Sequence, residues 1–232
     1  ASPLPQVTLS SKPEPSSLKV SNNPEALEAV RQAYKNYHQD NGLSLYRTLR
    51  DQPTSLDGDE PGREVARRMV ESGLLSAEEA PRALASSIDD YMPDDMVFQG
   101  AALLANAGKA LWFDVETGTY PNRHDFLLLD LAAISEGEFV PEAVSEEAPP
   151  ADSNDIPYLV RFVHRKQAYE LEATNFGDYY DLDALLRAAN QAVSDSGLSK
   201  RFYTLETGDQ TAIVVYMESQ ALASAIVDGL LP

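Results

Sequence analysis

The chain has 232 residues, 43% of them hydrophobic, enough for a sizeable packed core in one large domain or two small ones. Its 37 Asp and Glu stand against 18 Lys and Arg, a formal net charge of −19 that repels nucleic acid and anionic membranes and leaves cations, basic proteins or water as partners. With no cysteine, disulfides, thiolate metal sites and a cysteine nucleophile are excluded, and no run approaches the roughly 18 consecutive apolar residues of a membrane span.

Residues 1–22 read as a flexible Pro/Ser-rich arm, the sort of spacer that tethers an exported domain. The Ala1-Ser2-Pro3 start fits removal of a signal peptide as well as trimming, so the compartment stays open between periplasmic or secreted and cytoplasmic, with a lean to export. Residues 23–93 read as a helical subdomain. Asn23 caps a helix that has Pro24 in its first position and Leu27, Val30, Tyr34 and Tyr37 on one face. A further turn or two follows at Leu43, Leu45, Tyr46 and Leu49, and then a loop at Asp57-Gly58-Asp59-Glu60-Pro61-Gly62. Arg63 to Ser72 is predicted as a helix ended by Gly73, and Ser76 with Glu79 reads as a capping box for the next.

From residue 94 the pattern turns to strands, and residues 94–135 read as a first ββα unit. Met96–Leu104 and Lys109–Glu116 flank an Asn/Gly turn as a predicted hairpin, with Leu111, Phe113 and Val115 on one face and a helix over Asn122–Ile134. Residues 136–157 form an acidic, proline-containing linker or long loop. Residues 158–232 hold the second and third units. One hairpin turns at Arg165-Lys166 and leads into a helix from Asp181, the other turns at Gly208-Asp209 and leads into a helix over Ser219–Val227. The fold class expected is therefore α+β, with antiparallel hairpins covered by helices.

Candidate chemistry begins at Phe113, Asp114, Glu116 and Thr117, a Phe-Asp-x-Glu-Thr run that resembles the first motif of proofreading-type exonucleases. The resemblance spans Trp112 to Gly118 and implies that the two carboxylates ligate divalent metal. Those enzymes add two further aspartates and a downstream His or Tyr base. Their third motif places an Asp five residues after the His, but five residues past His124 stands Leu129 and five past His164 stands Tyr169. The first two units also align without a gap, Phe113 on Tyr169 and Glu116 on Glu172, so the Asp-x-Glu reads equally as a recurring strand end.

His124 and Asp125 extend Asp114 and Glu116 into a mixed nitrogen and oxygen metal set, although Asp125 is also suited to a helix N-terminus. Phe176-Gly177-Asp178-Tyr179-Tyr180-Asp181 groups aromatics and carboxylates before a helix. Arg63 and Arg67, spaced i,i+4, have Glu60, Glu64 and Glu71 as partners. There is no Gly-x-Ser-x-Gly and no phosphate-binding glycine loop.

The sequence thus leads to a non-enzymatic acidic binding protein of bacterial type, such as an inhibitor or a toxin-neutralising partner, with no cofactor and a basic protein as the counterpart. Its contact residues would be Asp114, Glu116, Tyr120, Tyr179 and Tyr180. The rivals are a metal-dependent hydrolase on Asp114, Glu116, His124 and Asp125 and a passive tethered domain.

Overall fold

A computed structural model describes residues 17–41, 60–85, 95–151, 153 and 155–232, without the side chains of residues 38–41, 60 and 61. The expected turns at Leu43–Leu49 and the start of the Asp57 loop lie outside the described residues, as does the His38 side chain. The fold is α+β, with seven helices and two antiparallel sheets among the described residues.

Strand β1 (Leu18–Ser21) lies within the Pro/Ser-rich segment and pairs antiparallel with a later strand. Helix α1 (Pro24–Asn41) starts as the sequence predicts, with Asn23 Oδ1 accepting from Glu25 N at 2.9 Å. Helices α2 (Glu60–Glu71) and α3 (Glu79–Ala85) follow. The capping box before α3 forms in both directions: Glu79 N donates to Ser76 Oγ at 3.2 Å and Ser76 N to Glu79 Oε2 at 2.7 Å. Ala80 N makes the first helical bond to the Ser76 carbonyl at 3.1 Å, and the next donor in the series would be Pro81, whose missing N–H deprives the Ala77 carbonyl of its helical partner.

Met96–Asn106 is helix α4 and not the strand expected from its apolar run. Asp95 Oδ1 accepts from Val97 N at 3.2 Å as the N-cap, and Gly108, read as a hairpin turn, adopts a φ of 74° just past the helix end. Helix formers Ala and Leu fill the segment, and packing on two sides hides the one-faced pattern that marks most helices. Strand β2 (Ala110–Asp114) therefore pairs elsewhere. Leu111 and Phe113 still face one core together, as their spacing predicts.

Helix α5 (His124–Ala133) begins two residues later than expected, which leaves Asn122 outside it. Inside the acidic stretch, Glu142–Glu147 forms strand β3 at a sheet edge, where its charged residues are tolerated. Strands β4 (Tyr158–His164) and β5 (Gln167–Ala173) make the predicted hairpin, with Arg165 and Lys166 at φ 45° and 68°. Two successive positive φ values mark a turn whose twist matches the strands. Helix α6 (Leu182–Asp195) is capped by Asp181, whose Oδ1 accepts from Ala184 N at 3.1 Å. Strands β6 (Arg201–Leu205) and β7 (Thr211–Met217) and helix α7 (Ser219–Val227) complete the chain as read from the sequence.

One sheet has the order β1-β5-β4-β3 and the other β2-β7-β6. The main core joins β4 and β5 (Val160, Phe162, Leu171) to α5, α6 and one face of the second sheet (Phe202, Val214, Tyr216). The opposite face of that sheet (Ile213, Val215, Met217) packs against α2, α3 and α4. Helix α1 covers the far side of the first sheet, where Val30 meets Val163 and Ala168. Order strand, strand, helix holds for β4-β5-α6 and β6-β7-α7, whereas β2 is preceded by a helix.

Candidate functional site

Asp114 ends β2, where β7 no longer dictates the pairing, and the chain after it crosses to the loop before α6. Glu116 and Tyr179 form an isolated antiparallel bridge, and Tyr180 N donates to the Val115 carbonyl at 3.0 Å. Tyr179 Oη donates to Glu116 Oε2 at 2.9 Å, a bond that raises the phenol above its ordinary range. Asp114 accepts from Glu116 N at 2.9 Å and from Gln210 Nε2 at 3.0 Å. The two carboxylates of the exonuclease-like run thus serve the backbone and neighbouring side chains at a solvent-facing strand end.

Below them lies Asn122, fully buried. Its Nδ2 donates to the Gly177 and Tyr179 carbonyls, both at 2.8 Å, its Oδ1 meets the Thr117 hydroxyl, and its N–H donates to Tyr158 Oη at 3.1 Å. Thr117 N also donates to the Asp178 carbonyl at 2.6 Å. A third loop joins through Tyr120 Oη, which donates to the Pro149 carbonyl at 2.6 Å, and Asn175 Nδ2, which donates to the Ser153 carbonyl at 2.7 Å. Three aromatic side chains remain in solvent on this braced surface: Phe176 is 47% exposed, Tyr120 37% and Tyr179 36%.

Tyr180 turns inward instead. Its ring lies 6.3 Å from Phe113 and 5.4 Å from His124, so it belongs to the packing beneath the face. His124 is wholly buried, with its ring 4.4 Å from that of Tyr158, whose hydroxyl burial pushes up to about 12. His124 Nε2 accepts from Asp181 N at 3.3 Å, which assigns the proton of the neutral ring to Nδ1. Nδ1 faces Glu146 Oε2 at 3.5 Å, within ion-pair reach and at the outer limit for a hydrogen bond.

Asp125 is buried too and held by Arg123 through two bonds of 2.9 Å and by Tyr37 Oη at 2.9 Å. The Arg123 guanidinium lies over the Phe126 ring at 3.6 Å. Asp125 N donates to Glu146 Oε2 at 3.1 Å, which places a carboxylate at the N-terminus of α5. Burial raises the Glu146 carboxyl above its ordinary value, with His124 opposing that shift.

Glu146 also lines a cleft of about 550 Å³ between α1 and β3, β4 and β5. Gln32, Asn36 and Tyr37 form the helix wall, and Ser145, Glu147 and Arg161 belong to the sheet wall.

The sequence-predicted residues therefore divide between two places. Asp114, Glu116, Tyr120 and Tyr179 share the loop face, while His124 and Asp125 lie in the buried network with Glu146. Among the described residues no three His, Asp or Glu gather closely enough to hold a metal ion. Phe176 carried a signal in its aromatic and acidic segment. Asn122 was hidden by its place at the start of the predicted helix, and Glu146 by the acidic run around it. Compared with known protein families, curated protein sequences and solved structures, the chain matches none.

Proposed function

We propose that this chain is a non-enzymatic acidic binding protein that takes a basic protein partner, as an inhibitor or toxin-neutralising protein would. The loop face carries the reading: exposed Tyr120, Phe176 and Tyr179 stand beside Asp114, Glu116 and Asp178 on loops joined through Asn122. Aromatic side chains supply most of the anchoring energy in protein interfaces, and a carboxylate rim selects lysine- and arginine-rich surfaces. The net charge of −19 would draw such a partner in at long range.

Quantitative pull-down from lysate at low and high salt, with wild-type and Glu116→Lys/Tyr179→Ala bait, tests the assignment. A basic protein retained by the wild type, released by salt and depleted about tenfold or more on the double variant is the expected result. Equal capture by both baits, or a partner indifferent to salt, removes the loop face from the function.

A further inference from the structure

Strand register sets one polar row across the first sheet on the side that α1 covers. Ser145 of β3 stands opposite Arg161 of β4, Arg161 opposite Glu170 of β5, and Glu170 opposite Lys19 of β1, and residues directly opposite each other share a face. Glu146, next to Ser145, turns the other way, where its carboxylate meets Asp125 N and His124. The charges of the row close on themselves. Glu170 takes Lys19 at 2.7 Å and Arg161 Nε at 2.9 Å, and Arg161 Nη1 pairs with Glu147. Two acids meet two bases, so the cleft between this row and α1 calls for no counter-ion.

Its hydrogen-bonding capacity does not close in the same way. Ser145, on the floor of the cleft, is 3% exposed and its Oγ has no hydrogen-bond partner. Buried hydroxyls are paired in folded proteins, so this orphan marks a bond that a ligand or water completes. Arg161 gives Nε and Nη1 to the two glutamates and keeps Nη2 free among the described residues. On the helix wall Gln32 Nε2 donates to Asn36 Oδ1 at 2.9 Å, which leaves Gln32 Oε1 as an acceptor and Asn36 Nδ2 as a donor. Ala29, Ala33 and Tyr37 add apolar surface to that wall.

Free donors and free acceptors thus line one charge-balanced space of about 550 Å³. An ion would satisfy one kind only, whereas a sugar ring has hydroxyls that both donate and accept around its rim and C–H faces that suit alanine and tyrosine. We propose that this cleft binds a neutral sugar, its hydroxyls bonding to Ser145, Arg161 Nη2, Gln32 and Asn36 while a C–H face lies on the side of Ala29, Ala33 and Tyr37.

Amide chemical-shift titration of the full chain with glucose, galactose, mannose and N-acetylglucosamine, each to about 50 mM because exchanged hydrogen bonds hold a small solute weakly, tests the site. At least one sugar is expected to saturate, with the shifts gathered on α1, Ser145 and Arg161 and an affinity unchanged between about 50 and 500 mM salt. Gln32→Ala/Asn36→Ala, a double change on the exposed side of α1, should weaken it about tenfold, and Ser145→Ala severalfold. Cyclohexanol, a ring of similar size with one hydroxyl, is expected not to bind. Tyr179→Ala, on the loop face, should take up the sugar as the wild type does, which separates this site from the partner surface. The proposal is overturned if none of the four sugars saturates, if the shifts gather elsewhere, if either cleft variant binds as tightly as the wild type, or if cyclohexanol binds equally well. Should Ser145→Ala fail to fold, the double variant decides.

Discussion

Asn122 shows how much one buried amide can hold. Its side chain meets two carbonyls of a loop distant in sequence and the hydroxyl of nearby Thr117. Asn122→Ala is expected to lower stability by about 2 kcal/mol, because the lost bonds leave two part-buried carbonyls without their donor. Thermal unfolding measures that loss. Partner capture should fall with it even at temperatures where the variant stays folded, since Tyr179 hangs from the same bonds. His124 and Asp125 illustrate the converse: side chains that look like chemistry in sequence are absorbed by packing and by the start of α5.

Among elements, the β4–β5 hairpin was legible because apolar alternation and a polar two-residue turn agree. Helix α4 was not, since Gln99, Gly100, Ala101, Leu103 and Leu104 are all buried, and a run apolar on most sides resembles a strand as much as a helix. The Asn/Gly pair after it signals a chain reversal in either case. Strand β3 was hidden by its glutamates, whose partners Arg161 and His124 lie elsewhere in the sequence. The Asp-x-Glu run was read correctly as a strand end, but its neighbour Tyr179 could be placed only through tertiary pairing. The hairpin turn also permits a direct test. Lys166 holds a φ of 68° at a cost that glycine avoids, so Lys166→Gly is expected to raise stability by about 1 kcal/mol in denaturant unfolding.

For the molecule as a whole, acidity is offset by a few shared cations. Hydrogen bonds from Lys109, then from Lys200, hold the Glu136 carboxyl at about 2. A carboxyl depressed on folding adds stability that is complete above its ordinary value of 4.5 and is lost as pH falls from there toward about 2. Glu136→Gln should therefore flatten the acid limb of a melting-temperature profile in that window. Burial lowers His164, so its contribution is intact above 6.5 and declines as pH drops below that value. His164→Gln should reduce that decline, leaving the lower window to Glu136.

Strand β7 alternates between two interiors, with Ile213, Val215 and Met217 toward the helical side and Val214 and Tyr216 toward the other. Each interior therefore uses the same strand as its wall. Cooperativity is built in at this partition: the helices on one side and the α5/α6 core on the other must melt together, because neither can lose β7 without exposing the apolar surface of its neighbour.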